Sequence, residues 1–280
     1  MKKLSILFFM VPVLVWSQFG YGVIPGAVIE ETDRGAINYS QGIITATGIG
    51  SIPEYAVNAG QARAMAIRAA KTDARRQLIE MVNGITLTSE STMRNRMVDE
   101  VVKEKVSGVI RGAYQIGEVR YLSDTSVEVT MGVSMSGISE IVTPATAAAA
   151  PALLPPPEEA VTDPVSAGPV TGIIIDARGL GARPALAPKI LGQNGTVIYG
   201  PGNYTREYAI KNGVAGYSKS LETAQEDARV KGNPLVVKAM SVQGVNKTDI
   251  VVSGQDGWKM QQVNQKFNVL SDCRVLILLD

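Results

Sequence analysis

Asp176-Ala177-Arg178-Gly179-Leu180-Gly181-Ala182-Arg183 is the stretch of this sequence best equipped for chemistry. It follows the apolar run Ile173–Ile175, so it reads as a glycine-rich turn at the end of a strand. Such a turn can aim backbone N–H groups and guanidinium groups at an anion. The simpler reading is a tight turn in which Asp176 pairs with an arginine. Gly179-Leu180-Gly181 lacks the third glycine of GxGxxG, and no helix pattern follows, so it is not a dinucleotide fingerprint. GxxxxGK[ST] does not occur, which excludes a standard phosphate loop.

Other reactive groups are sparse. The sequence contains no histidine, the side chain best suited to proton transfer near neutral pH and to metal binding. One cysteine, Cys273, rules out an internal disulfide and a cysteine-based zinc site. Its simplest reading is a buried, inert thiol. The serines of Gly132-Val133-Ser134-Met135-Ser136-Gly137 do not fit a nucleophile elbow and have no histidine to activate them. Glu158 and Glu159 have nothing beside them to separate their pKa values. Tyr199, Tyr204, Tyr208 and Tyr217 are either a glycan-facing surface or partly buried sheet residues. The sequons at Asn203 and Asn246 are read as chance. The sequence therefore offers no catalytic residue, no cofactor-binding residue and no metal ligand, and it is not read as an enzyme.

The charge balance excludes another class. Lys plus Arg number 27 and Asp plus Glu 26, so no basic excess drives binding to nucleic acid. At the start, Lys2 and Lys3 precede the apolar run Leu4–Trp16, and Ser17 offers a cut. Residues 1–17 are expected to be a signal peptide, too short and too interrupted at Pro12 for a membrane span. No later segment is apolar enough to span. The expected location is periplasmic or outer-membrane-associated, and no cysteine near the cut would carry a lipid.

Behind this start lie a flexible lead at 18–35 and two domains, at 36–142 and 170–280. The segment 143–169 between them holds seven of the fourteen prolines. It reads as a Pro/Ala-rich linker of extended geometry, with a reach on the order of 80 Å. In the first domain, Ile37–Gly50 reads as one bent strand. Ile67, Ala70, Ala74, Leu78 and Met81 recur at helical spacing, and Arg68, Thr72 and Arg76 fall on the opposite face. Asn83-Gly84 stops that helix. A second helix is expected over Ser89–Ile110, with Met97, Val98, Val101, Val102, Val106 and Val109 on one face. Two strands follow, Tyr114–Tyr121 and Ser126–Ser136; in the latter Val127, Val129, Met131 and Val133 alternate with polar residues. The fold class is α+β, two small domains, the first with two helices packed on an antiparallel sheet.

The second domain opens on the strand Gly172–Asp176. Asn194-Gly195 reads as a hairpin turn, Ser220–Val230 as a short helix, Leu235–Val242 and Asp249–Ser253 as strands. Met260, Val263, Phe267 and Leu270 mark a further helix, and Arg274–Leu279 a central strand.

Ala46-Thr47-Gly48-Ile49-Gly50, the helix Ala66…Asp73-Ala74-Arg75-Arg76…Leu78 and the strand Val127–Met135 together resemble a bacterial envelope family. It is the family of outer-membrane lipoproteins of roughly twenty kilodaltons, FlgP-like and more distantly similar to the N-terminal domain of FlgT. The resemblance covers about residues 43–142. It implies a non-catalytic protein, with some members building rings around the flagellar motor. The family's lipid-bearing cysteine is absent here. Thr171–Leu191 resembles a tail domain of larger members.

The function expected from these readings is structural or assembly work in the envelope, as a flagellar-motor accessory or ring component. Partners would be copies of itself or other envelope or flagellar proteins, met through sheet edges and polar helix faces, with the linker letting the second domain reach another layer. The alternative is a peptidoglycan- or glycan-binding module, motivated by the tyrosines and the Arg178–Arg183 turn.

Overall fold

The structure, a computed structural model, describes residues 25–143, Leu154 and 168–280. The proposed signal peptide, the 18–24 part of the lead, Glu158, Glu159 and most of the linker lie outside the described residues. The chain folds into two α+β lobes.

The first lobe is built from β1 (Ile29–Thr32), β2 (Gly35–Asn38), β3 (Ile43–Gly50), α1 (Ala59–Gly84), β4 (Thr86–Thr88), β5 (Ser91–Thr92), α2 (Met93–Arg96), α3 (Glu100–Arg111), β6 (Tyr114–Tyr121), β7 (Val127–Ser134) and α4 (Met135–Val142). Five strands form an antiparallel sheet in the order β1-β2-β3-β7-β6. α1 lies across β3 and β7. Its start is capped by Asn58, whose side chain accepts from the Gln61 N–H. Ala62, Ala66, Ala70, Ala74 and Leu78 face the sheet, and Arg68, Thr72 and Arg76 face solvent. The alanines matter because β3 presents Gly48 and Gly50 to them, so helix and strand backbones meet with almost no side chain between.

Several expectations are corrected here. The stretch read as one bent strand is two, β2 and β3, folded back at a turn that ends on Gly42 with φ +65°. The stretch read as a single second helix is β5, α2 and α3. Asp99 breaks it by accepting from the Val101 and Val102 N–H groups and starting a new helix. Val102, Val106 and Ile110 are buried, whereas Val98 and Val101 are 82% and 60% exposed. Strand β7 stops at Ser134, which caps α4. Part of the lead read as flexible is β1.

Neither edge of this sheet is an open template for another chain. β1 is four residues long and carries Glu30 and Glu31. In β6, Gly117, Glu118 and Val119 bulge between the pairs Ile116–Thr130 and Arg120–Glu128. Short, charged and bulged edges are the usual defences against edge-to-edge pairing. The expectation that sheet edges make the contacts therefore loses its support.

The second lobe comprises β8 (Ile173–Asp176), β9 (Ile190–Gly192), β10 (Val197–Tyr199), α5 (Arg206–Asn212), β11 (Gly216–Ser218), α6 (Leu221–Glu226), β12 (Leu235–Gln243), β13 (Asp249–Val252), α7 (Gly254–Phe267) and β14 (Val275–Leu278). The seven strands form a mixed sheet in the order β10-β9-β13-β12-β8-β14-β11. β8 sits between β12 and β14, parallel to both. Strands Ile173–Ile175 and Val275–Leu278 are buried throughout, as parallel strands covered on both faces must be. The Asn194-Gly195 turn joins β9 and β10, with Gly195 at φ +80°. β14, expected at the centre, is next to the β11 edge. No helix among the described residues is long and apolar enough to cross a membrane.

Candidate functional site

The Asp176 turn forms as a turn but is already filled. Arg178 donates from Nε to Asp176 Oδ1 at 2.8 Å and from Nη2 to Oδ2 at 2.6 Å. Gly179, at φ +78°, donates its N–H to the Asp280 carboxylate at 2.8 and 3.0 Å. The anion this turn holds is thus the chain's own side chain. Arg183 leaves the turn altogether and pairs with Glu30 at 3.4 Å, while Gly181 at φ +64° only bends the backbone.

The Arg178 hydrogen bond holds the Asp176 carboxyl below the usual carboxylate range, against the opposing effect of burial. A folded-state value below the unfolded one contributes stability that is complete above the unfolded pKa of ~3.9 and is lost as pH falls through the folded value. Asp176→Asn is therefore expected to narrow the gap in urea midpoint between about pH 6 and about pH 3. An unchanged gap would mean the pair contributes nothing.

The remaining sequence candidates are spent on packing. Cys273 is buried and its thiol is pushed up to about 11 by that burial. Tyr199 is buried with its hydroxyl donating to Val214 O at 2.5 Å, and Tyr204 packs edge-on against it at 5.8 Å. Tyr217 donates to Ala185 O at 2.7 Å and accepts from Ala185 N at 3.0 Å. Only Tyr208 of the four is exposed, so they form no glycan platform. Asn203 is 8% exposed, and Asn246 donates to Thr88 O at 3.1 Å. Arg76 pairs with Asp73 at 2.7 Å on the surface, joined by Arg34 at 3.2 Å, and Arg68 points to solvent.

What the fold builds instead is a seam between the lobes. Ser40 Oγ accepts from Val28 N and donates to Tyr217 O at 2.5 Å. Tyr39 meets Tyr217 edge to face at 5.9 Å. Burial, then the nearby Glu30 carboxylate, push the Tyr39 phenol far above its usual value, so it stays a donor to Glu30 at 3.0 Å. The main chains also pair across the seam: Leu186 N to Thr86 O at 3.0 Å, Ala187 N to Leu87 O at 2.8 Å and Asn246 N to Ser89 O at 3.0 Å. Ser89, 1% exposed at the tip of the β4–β5 hairpin, donates to Asp249 Oδ2 at 2.6 Å. Asp249 Oδ1 and Thr248 Oγ1 are buried beside it without a hydrogen-bond partner. One apolar core runs through both lobes, from Ile44 and Leu78 to Ile175 and Ile277. The expectation that the second domain swings on its linker to another layer is corrected: the lobes are docked.

Two cavities of about 180 and 190 Å³ open along this seam and share Ser139 and Leu186. The cavity of about 190 Å³ is mainly apolar, with Leu87, Val142, Ala187, Pro201 and Tyr204 beside Arg96. The other is lined by Ser40, Ser134, Ser136, Ser139, Gln41 and Asn212, with Lys211 and Arg229 and no carboxylate. Arg229 is committed to carbonyl oxygens, those of Gly213 at 3.1 Å, Cys273 at 2.9 Å and Asn212. Ser134 and Ser136 belong to the serine-rich stretch that fits no nucleophile elbow, and here they line a cleft. Their role as cleft lining depends on residues about 75 positions further along, and no local pattern announces it. Among the described residues no group of three or more potential metal ligands forms.

The molecule is thus of the α+β class, with a mixed sheet in its second lobe. Residues 172–280 are similar to the family described as the second domain of Treponema pallidum Tp0624. No curated protein matches the chain.

Proposed function

We propose that this is a non-catalytic, exported envelope protein that does structural or assembly work as one rigid two-lobed unit. The observation that carries this reading is the seam: a common core, main-chain hydrogen bonds and the Ser89–Asp249 contact fix one lobe on the other. A part that transmits position between neighbours needs such rigidity. The setting would be the periplasm or the outer-membrane surface, and the role a motor accessory or ring component. Contacts with copies or envelope partners fall to helix faces rather than sheet edges. Val98 and Val101 are exposed beside the charged residues of α3, and Arg68, Thr72 and Arg76 form the outer face of α1. The glycan-binding alternative keeps the interlobe cleft as its support, since Tyr199, Tyr204 and Tyr217 pack into the core and Tyr208 alone is exposed.

Light scattering on residues 18–280 over a wide concentration range tests the reading. A discrete oligomer is expected, reduced towards monomer by Val101→Glu. A strict monomer at high concentration would count against ring or assembly work.

A further inference from the structure

The cleft between the lobes carries hydrogen-bond donors with nothing to donate to. Ser139 is 6% exposed, its hydroxyl has no hydrogen-bond partner among the described residues, and it lines both cavities. The side chain is buried but its hydroxyl opens on the cavities, where it can donate to a ligand. Ser134 and Ser136, at the start of α4, share one hydrogen bond at 2.7 Å, which leaves one of their two protons free. The same helix start carries the positive end of the helix dipole. From the second lobe, Lys211 and Asn212 close α5 with an ammonium group and a side-chain amide that make no hydrogen bond among the described residues. Gln41 accepts from Asn38 through Oε1, so its amino group is also uncommitted. These free groups are donors from both lobes, one of them a cation, and no carboxylate opposes them.

We propose that this cleft binds a small oxyanion, a carboxylate- or phosphate-bearing molecule held between the two lobes. The volume of about 180 Å³ is below the ~300–1,000 Å³ of pockets for drug-sized ligands, which sets the ligand at about the size of one sugar ring. The anionic group sits against Lys211 and the α4 start, and Ser139 donates to it from below. Because each lobe supplies donors, the bound anion ties the lobes together. This inference goes beyond the structural reading and does not depend on oligomer formation.

Calorimetry and thermal unfolding of the chain from residue 18, with inorganic phosphate, glucuronate and glucose as separate probes, test it. Phosphate or glucuronate gives binding heat and raises the unfolding midpoint, and whichever does so identifies the headgroup. Glucose gives neither. Lys211→Gln, an exposed substitution that leaves folding intact, weakens binding about tenfold or more. Ser139→Ala, checked for folding by circular dichroism, weakens it several-fold. Three results would overturn the proposal: no heat and no shift from either anion at millimolar concentration, equal binding of glucose, or unchanged affinity in both variants, which would mark an adventitious ion only.

Discussion

Gly48→Ala is expected to lower the unfolding free energy by about 3 kcal/mol or more, at the upper end of the cost of overpacking. A Cβ built on Gly48 lies 2.2 Å from Ala70 O and Ala74 N and 2.8 Å from Ala74 Cα. All three are main-chain atoms of α1, so no side chain can rotate away. The strand is also held in place by β7, with Gly48 opposite Val129 and Gly50 opposite Val127. Gly50→Ala meets Ala66 O at 2.1 Å and should behave alike. Against a total stability of ~5–15 kcal/mol, either change removes a large share. Gly84→Ala is the control: nothing lies within 4 Å of its Cβ, so its effect should stay within about 0.5 kcal/mol. Urea unfolding monitored by circular dichroism measures all three. A cost below about 1 kcal/mol for Gly48→Ala would mean that α1 does not lie on β3 at backbone contact.

The second large effect is expected at Ser89. Among the described residues its hydroxyl is the one donor to the Asp249 side chain, whose other oxygen is buried without a partner. Ser89→Ala would leave a 7% exposed carboxyl group with neither oxygen bonded. Leaving a buried polar group unsatisfied costs about 1–3 kcal/mol, more when it is charged. The expected loss is therefore about 2–3 kcal/mol, well above that of Ser107→Ala, whose exposed hydroxyl donates to Lys103 O at 2.8 Å. A double-mutant cycle with Asp249→Ala isolates the pair. Additive costs would show that the two side chains do not interact.

How far the sequence announced this structure depends on how far apart the interacting residues lie. α1 was legible because its alanines and Leu78 recur every four residues and Gly84 ends it. β7 was legible because buried and polar residues alternate along it. The second helix was misread because valines at 98, 101, 102 and 106 offer two helical phases. Asp99 selects the second by capping, which turns Val98 and Val101 outward. α5 and β11, seven and three residues long, are too short to show a period and were missed. The Asp176–Arg178 pairing was legible because the partners are two residues apart; the Asp280 carboxylate on Gly179 was not, at a separation of 101. The seam and its cleft lie beyond local pattern altogether. Ser40 meets Tyr217 and Ser89 meets Asp249 across separations of 177 and 160 residues. The glycine at 244 shows the same limit: its φ of +82° reads as an ordinary turn, yet a Cβ there would lie 2.2 Å from Ser89 Cβ.

That the two lobes work as one body is tested most directly by differential scanning calorimetry of residues 18–280. The docked core predicts a single transition whose calorimetric and van't Hoff enthalpies agree, and which Ser89→Ala shifts as a whole. Two separable transitions, with Ser89→Ala moving only one of them, would contradict it.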